Sequence, residues 1–338
     1  MNQIPTFDNE QLLSALQSAN SFLLCTHVSP DGDALGSMLA TRLLLQKMGK
    51  TVTMISDEII PDQFTFLEGI DCILPSNAVK DQRFDVGFAL DAGDRERLGE
   101  CVVPYFHNTS VTLQLDHHKT NDDYAEHNVV DWHAGACACI VMRLIDRLGI
   151  DIDLKMAECL YVGISSDTGN FSFANADAEV FYDMSVLVGV GLPVADLARR
   201  LYRVRSKEHC GMLSCALSTL TFYEEGKLTF MKVYQKDFEK HNALPEHSDR
   251  IVNYGLDLHG VYMTAMAEEK NDHLTRFSLR AQPPCNVGAI ALSLGGGGHN
   301  LAAGCSVHLP MEEACEKVLK AMQDAMRMTF SKNENKGE

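Results

Sequence analysis

Three short apolar runs in the first third of the chain each end in a side chain that binds metals or moves protons, and this constrains the fold most. Phe22-Leu-Leu-Cys-Thr runs into His27-Val-Ser-Pro-Asp31-Gly-Asp33. Asp85-Val-Gly-Phe-Ala-Leu runs into Asp91, and Val111-Thr-Leu-Gln-Leu into Asp116-His117-His118. Each run has the length and apolar continuity of a strand buried on both faces. Helical stretches expected at Ala34–Met48, Ala136–Leu148 and Leu154–Ile164 alternate with the runs, together with a further strand at Thr51–Ile55. Gly49 supplies a helix stop. Strands alternating with helices predict a parallel, doubly wound sheet. In such sheets ligands gather beyond the carboxyl ends of the strands, so the three terminal segments are expected to converge.

A fourth acidic segment, Gly163-Ile-Ser-Ser-Asp167-Thr-Gly-Asn, closes a helix in a loop of small residues. An isolated aspartate at such a place is ordinarily a helix cap or a turn residue. Four together would repel one another unless cations neutralise them. The candidates are His27, Asp31, Asp33, Asp91, His117 and Asp167. Mixed imidazole and carboxylate donors suit manganese, zinc or iron better than calcium, and six donors suit two ions sharing a carboxylate.

Composition narrows the function classes. A net charge of -17 over 338 residues argues against a passive nucleic-acid binder with a broad basic surface. It leaves room for a phosphate substrate whose charge is met by bound metal. The 11 cysteines form no regular framework and no CxxC pair, which points to reduced thiols in a cytoplasmic protein. No secretory leader or membrane-spanning run is read from the sequence.

After about residue 205 the pattern changes to shorter strands, at Leu228–Tyr234, Gly260–Met266 and Thr275–Arg280, with a helix at Asn286–Leu294 and another at Glu312–Met328. Between that helix pair lies Gly295-Gly-Gly-Gly298-His299-Asn-Leu-Ala-Ala-Gly304. Consecutive glycines permit close backbone approach and can aim N–H groups at an anion, and a flexible hairpin is the plain alternative. Arg199, Arg200, Arg203 and Arg205 read as a solvated helix face, with cleft lining as the other possibility. Trp132, with Tyr124 and His133, reads as core rather than as a stacking surface.

The segments HVSPDGDALGS, the strand ending at Asp91, Asp116-His117-His118 and SSDTGNF resemble the four motifs of the DHH phosphoesterase superfamily. That group includes RecJ-like exonucleases, family II pyrophosphatases and small-oligonucleotide phosphodiesterases. The glycine run resembles the motif of the DHH-associated substrate domain. The resemblance implies a DHH domain over residues 1–188, a helical linker over 189–212, a smaller α/β substrate-binding domain over 213–330, and a disordered tail over 331–338.

It further implies two divalent ions, manganese foremost. His27, Asp31 and Asp91 would hold one; Asp33, Asp91, His117 and Asp167 would hold the other. Asp116 would orient a ligand histidine, and His118 would serve the scissile phosphate as donor or general acid. Arg280, Gly296, Gly297, Gly298 and His299 would grip the substrate. Asn300-Leu301 depart from the basic or amide residues that relatives often place there, which leaves the fine substrate preference open.

Chain length favours the NrnA-like group. This implies hydrolysis of very short oligonucleotides to mononucleotides, and of 3′-phosphoadenosine 5′-phosphate to AMP, without tracking of long strands and with no membrane partner. Cyclic or linear dinucleotide hydrolysis is the alternative, and a catalytically silent nucleotide-binding regulator is the alternative of another class. Family II pyrophosphatase fits less well, since no lysine-rich clamp is seen. Family habit also suggests a homodimer.

Overall fold

A computed structural model describes residues 7–334. Two compact units divide at Val204 and Arg205.

The first unit is built on a six-stranded sheet, all parallel, of β1 (Ser21–Cys25), β2 (Thr51–Ile55), β3 (Ile73–Leu74), β4 (Val86–Leu90), β5 (Val111–Asp116) and β6 (His127–Val130). The strand order is β3-β2-β1-β4-β5-β6, so the chain winds outward one way from β1 and the other way from β4. The doubly wound expectation is met, and β1 and β4 flank the point where winding reverses. The sequence reading had not placed β3 and β6, which are short and half exposed.

Helices α1 (Glu10–Ser18), α2 (Gly32–Lys47), α3 (Val103–His107), α4 (Cys137–Arg147), α5 (Leu154–Asp167), α6 (Ala178–Gly189) and α7 (Val194–Ala198) clothe the sheet. Strand alternation splits the core in two. Phe22, Leu24, Phe88 and Leu90 pack with residues of α2, α4 and α5, whereas Leu23, Cys25 and Ala89 face Phe106 and Val102 on the other side. Helices α2 and α5 cross closely because glycines stand at the crossing. A Cβ at Gly36 would lie 2.4 Å from the Cys159 carbonyl oxygen.

The second unit holds α8 (Lys207–Ser218), β7 (Thr221–Tyr223), β8 (Leu228–Val233), α9 (Gln235–His241), α10 (Asn253–Leu256), β9 (Met263–Asn271), β10 (Leu274–Ala281), α11 (Val287–Ser293), β11 (Gly297–Gly298), β12 (Ala302–Val307) and α12 (Met311–Glu334). Its sheet, ordered β11-β12-β10-β9-β8-β7, is antiparallel except for the β8–β9 pair. Phe277, Leu279, Ala265 and Phe230 pack with Val318, Met322 and Met326 of α12. On the opposite face Met231, Val233 and Met266 pack with Met212 of α8.

The segment expected as a linker is shared between cores. Leu192, Leu197 and Leu201 are buried in the first unit, and Met212 in the second. Helix α12 continues to Glu334, four residues into the stretch expected to be a disordered tail; residues 335–338 lie outside the described residues. Among the described residues no single helix is long and apolar enough to cross a membrane, and the one apolar pair, Ala178–Gly189 with Val194–Arg203, is bent by 118°.

Candidate metal centre and phosphate pocket

Strand register brings the acidic segments level. Cys25 pairs with Ala89 and Leu90 with Leu115, so His27, Asp91 and the Asp116-His117-His118 triplet leave the sheet at one edge. His27 follows β1 and Asp91 follows β4, at the reversal of winding where open α/β sheets bind ligands. Asp31 caps α2: its Oδ1 accepts from the Asp33 and Ala34 N–H groups at 3.0 and 3.1 Å. The same short carboxylate thus starts the helix and faces His27, whose Nε2 is 3.8 Å away.

Asp33 and Asp167 come from the two helices that cross at Gly36. Asp33 is fully buried and is held by backbone at the start of α4, where Cys137 N–H donates at 2.5 Å and Ala138 N–H at 3.0 Å, and by the Ser37 hydroxyl of its own helix at 3.1 Å. Asp167 is the last residue of α5. Asp91 has φ of +56°, a left-handed conformation strained for a non-glycine residue. Two donors on the neighbouring Ala92 carbonyl, Gln114 Nε2 at 2.8 Å and Tyr124 Oη at 3.1 Å, hold the turn there.

The histidines are set in complementary fashion. His27 Nδ1 lies 2.8 Å from the Val28 carbonyl and His117 Nδ1 lies 3.3 Å from the Ala134 carbonyl. A carbonyl only accepts, so the His117 contact favours a proton on Nδ1 with the Nε2 lone pair turned toward carboxylates, whereas His27 Nδ1 also has the Arg97 guanidinium 3.2 Å away. His27 Nε2 is 3.7 Å from Asp91; His117 Nε2 is 3.5 Å from Asp91, 3.2 Å from Asp167 and 3.8 Å from Asp33.

His27, Asp31 and Asp91 form one group able to hold an ion, and Asp33, His117 and Asp167 form another; Asp91 also groups with His117 and His118. Within the last group His118 Nδ1 is taken by Asp116 Oδ1 at 2.7 Å. That corrects the expected role of Asp116: it engages His118, and the ligand-type His117 is oriented by the Ala134 carbonyl instead. The chain leaves β5 at Asp116, and the turn that follows brings the His118 ring back onto that carboxylate. Asn121 Nδ2 donates 2.5 Å to the other Asp116 oxygen.

Electrostatics fit cations at this place. Burial pushes the Asp91 carboxyl well above the usual carboxylate range, and Asp33 and Asp31 raise it further. Burial followed by Asp33 and Asp31 pushes Asp167 up to about 8. Asp33 is also raised by burial, against the pull of His117. The buried Asp91 Oδ1 has no hydrogen-bond partner. An orphan carboxylate oxygen 3.5 Å from the Nε2 atom of His117 is costly without a cation and satisfied with one.

In the second unit the glycine run is an ordered strand edge. Gly297 and Gly298 pair with Gly304 and Ala303 of β12. A Cβ at Gly296 would meet the Gly304 carbonyl oxygen at 2.2 Å, and Gly298 has φ of +137°, so both positions require glycine. Gly296, Gly297 and Gly298 line a cavity of about 560 Å³ together with Arg280 and Arg276. Burial, then Arg250, lowers the pKa of Arg280 from the ordinary arginine value.

His299 is exposed and is not among the cavity's lining residues. Arg276 escaped the sequence reading as a site residue, although period-two alternation on β10 places Arg276, Ser278 and Arg280 on one face. Gln114, Tyr124 and Asn121 were missed too; a polar Gln inside an apolar strand was the one available signal. Trp132, expected in the core, is 52% exposed, because it follows β6 at the rim of the sheet.

A doubly wound sheet with buried carboxylates and histidines at its winding reversal defines an α/β protein with a candidate metal centre. Family models sharpen the class: residues 21–164 match the N-terminal domain of the DHH family and residues 226–328 a DHHA1 domain. The chain belongs to the DHH family of phosphoesterases, hydrolases acting on phosphate esters.

It is 29% identical over 309 residues to the bifunctional oligoribonuclease and PAP phosphatase NrnA of Thermus thermophilus, covering 90% of this chain and 89% of that protein. The protein of the same name from Mycoplasma pneumoniae is 26% identical over 325 residues, covering 94% and 93%. Among solved structures, an exopolyphosphatase-related protein from Bacteroides fragilis has 25% identity and a TM-score of 0.88, covering 93% of this chain and 95% of that one. RecJ of Thermus thermophilus in complex with Mn2+ is alike in fold, with 15% identity and a TM-score of 0.55 over 96% of this chain and 56% of that one.

Proposed function

We propose that this protein is a cytoplasmic enzyme that hydrolyses very short oligonucleotides to mononucleotides and 3′-phosphoadenosine 5′-phosphate to AMP, using two manganese ions. The observation that carries the reading is the pair of donor groups meeting at Asp91, His27–Asp31 on one side and Asp33–His117–Asp167 on the other. Relatives across nine-tenths of the chain bear the names of both activities, which supports the substrate class.

Bound there, two ions supply a nucleophile at neutral pH and neutralise charge in displacement at phosphorus. The chain's own residues do the rest. Asp91 is the carboxylate within reach of both groups, with Oδ2 3.7 Å from His27 Nε2 and Oδ1 3.5 Å from His117 Nε2. His118 has Nδ1 fixed on Asp116 and is partly exposed, so Nε2 is the atom left to face the departing oxygen. The ring in its imidazolium form, stabilised by the Asp116 carboxylate, gives that oxygen the Nε2 proton and becomes neutral. Arg276, Arg280 and the glycine backbone of Gly296–Gly298 line a cationic pocket suited to a terminal phosphate. The net charge of -17 suits a short substrate gripped at its end.

The test is a manganese-supplemented assay on a short RNA, 3′-phosphoadenosine 5′-phosphate and a cyclic dinucleotide. Turnover of the first two is expected. With metal bound, absence of turnover on all three overturns the reading, and turnover of the cyclic dinucleotide alone replaces it.

A further inference from the structure

Trp132 is the one tryptophan of the chain and, with 52% of its surface exposed, among its larger apolar exposures. Its position is tied to the metal centre. Val130 pairs with Asp116 at the end of β5, and the Asp131 N–H donates 3.0 Å to the Asp116 carbonyl. Three residues after Asp131, the Ala134 carbonyl faces the His117 ring. Trp132 therefore stands within two Cα steps, ~7.6 Å, of a residue touching a candidate ligand.

The turn is rigid. Asp131 Oδ2 accepts from Arg143 at 2.6 Å, its Oδ1 accepts from His133 N–H at 3.0 Å, and the Ala134 N–H returns to the Asp131 carbonyl at 3.0 Å. The indole keeps aromatic and cationic company at the surface. The His133 ring centroid is 3.6 Å away, and the Lys119 ammonium sits 5.2 Å from the ring centre. Lys119 directly follows His118, the proposed proton donor.

We propose that Trp132 is a stacking platform for the base of the nucleotide whose phosphate enters the metal centre, with Lys119 as its mobile cationic cover. An exposed indole on a rigid turn offers a π face at little ordering cost, and bases stack on aromatic faces with little regard to sequence. Lys119 is an exposed, flexible side chain that an incoming base displaces from the ring; released, its ammonium is next to His118 and turns toward the phosphate. The ligand class is a nucleoside phosphate, and the sugar spans the gap between phosphate and base. This assignment rests on the phosphoesterase reading and adds base recognition to it.

Because Trp132 is the only tryptophan, the emission of the whole protein, excited where tyrosine is silent, reports this site alone. Adenosine 5′-monophosphate should quench that emission saturably, and ribose 5-phosphate should not. In hydrolysis, Trp132→Ala should lower kcat/KM for an adenosine-bearing phosphate relative to a base-free phosphate ester by about tenfold, the scale of one stacked base, with recovery in Trp132→Phe. Emission unmoved by concentrations of adenosine 5′-monophosphate that inhibit turnover overturns the platform, as does an unaltered substrate ratio in Trp132→Ala. Saturable quenching with no turnover of any nucleotide in manganese keeps the platform and overturns the hydrolase reading instead.

Discussion

Asp91 concentrates the chemistry and the strain of this protein in one residue. It is 2% exposed, left-handed, without a partner for one oxygen, and surrounded by other carboxylates. Such a residue costs stability in the metal-free protein, a cost that a bound cation would offset. Asp91→Asn should therefore raise the melting temperature of the metal-free protein, because asparagine tolerates the left-handed region and carries no charge.

The sign with pH follows from its raised pKa. A raised carboxyl favours folding when protonated, fully below the unfolded value of about 3.9, and that contribution is lost as pH rises toward the folded value. The variant's advantage should accordingly be small near pH 4 and grow through pH 8. Each kcal/mol relieved is worth about 2–4 °C or less in a chain of this size. Manganese should stabilise the wild type and leave Asp91→Asn unmoved. A variant that melts lower than the wild type at pH 8 without metal would contradict the picture.

At the scale of elements, the site depends on how closely α2 and α5 approach. Gly36 lets the backbone of α5 come within contact, and a Cβ at Gly163 would lie 2.7 Å from Asp33 Oδ1. Both clashes involve backbone or a held carboxylate, neither of which can swing away. Gly36→Ala should cost about 3 kcal/mol, the upper end of overpacking, read as a lower urea midpoint at unchanged slope. It should also weaken manganese binding measured by calorimetry, since Asp33 sits one turn away. Equal midpoints would mean that the helices part easily. The sequence pattern started α2 two residues late and ended α5 three residues early, and the glycine between Leu35 and Ser37 had no evident purpose. Its role lies in a crossing partner more than a hundred residues away.

For the whole molecule, charge decides the mode of substrate binding. A net -17 repels a long polyanion everywhere except where cations gather locally. One or two phosphates gripped at a time release one or two counterions, so log kcat/KM against log salt for a dinucleotide should have a slope of about -0.7 to -1.4. A slope steeper than about -4 would show a tracked strand.

Much of the first unit was legible because a parallel sheet writes itself into sequence as apolar runs, and because metal ligands are few residue types placed at strand ends. His27, Asp31, Asp33, Asp91, His117 and Asp167 could be chosen as a set on those grounds. What stayed hidden was pairwise geometry: that Asp116 reaches His118 rather than His117, that Gln114 and Tyr124 share the Ala92 carbonyl, and that Arg276 joins Arg280 over the glycine edge. Period and composition determine which residues face a core or a strand end, and they place the acidic edge and the two units. Which oxygen meets which nitrogen, and whether Trp132 faces water or core, depends on distances between segments remote in sequence. Those distances are set by how strands pair and helices cross, and only the folded chain decides them.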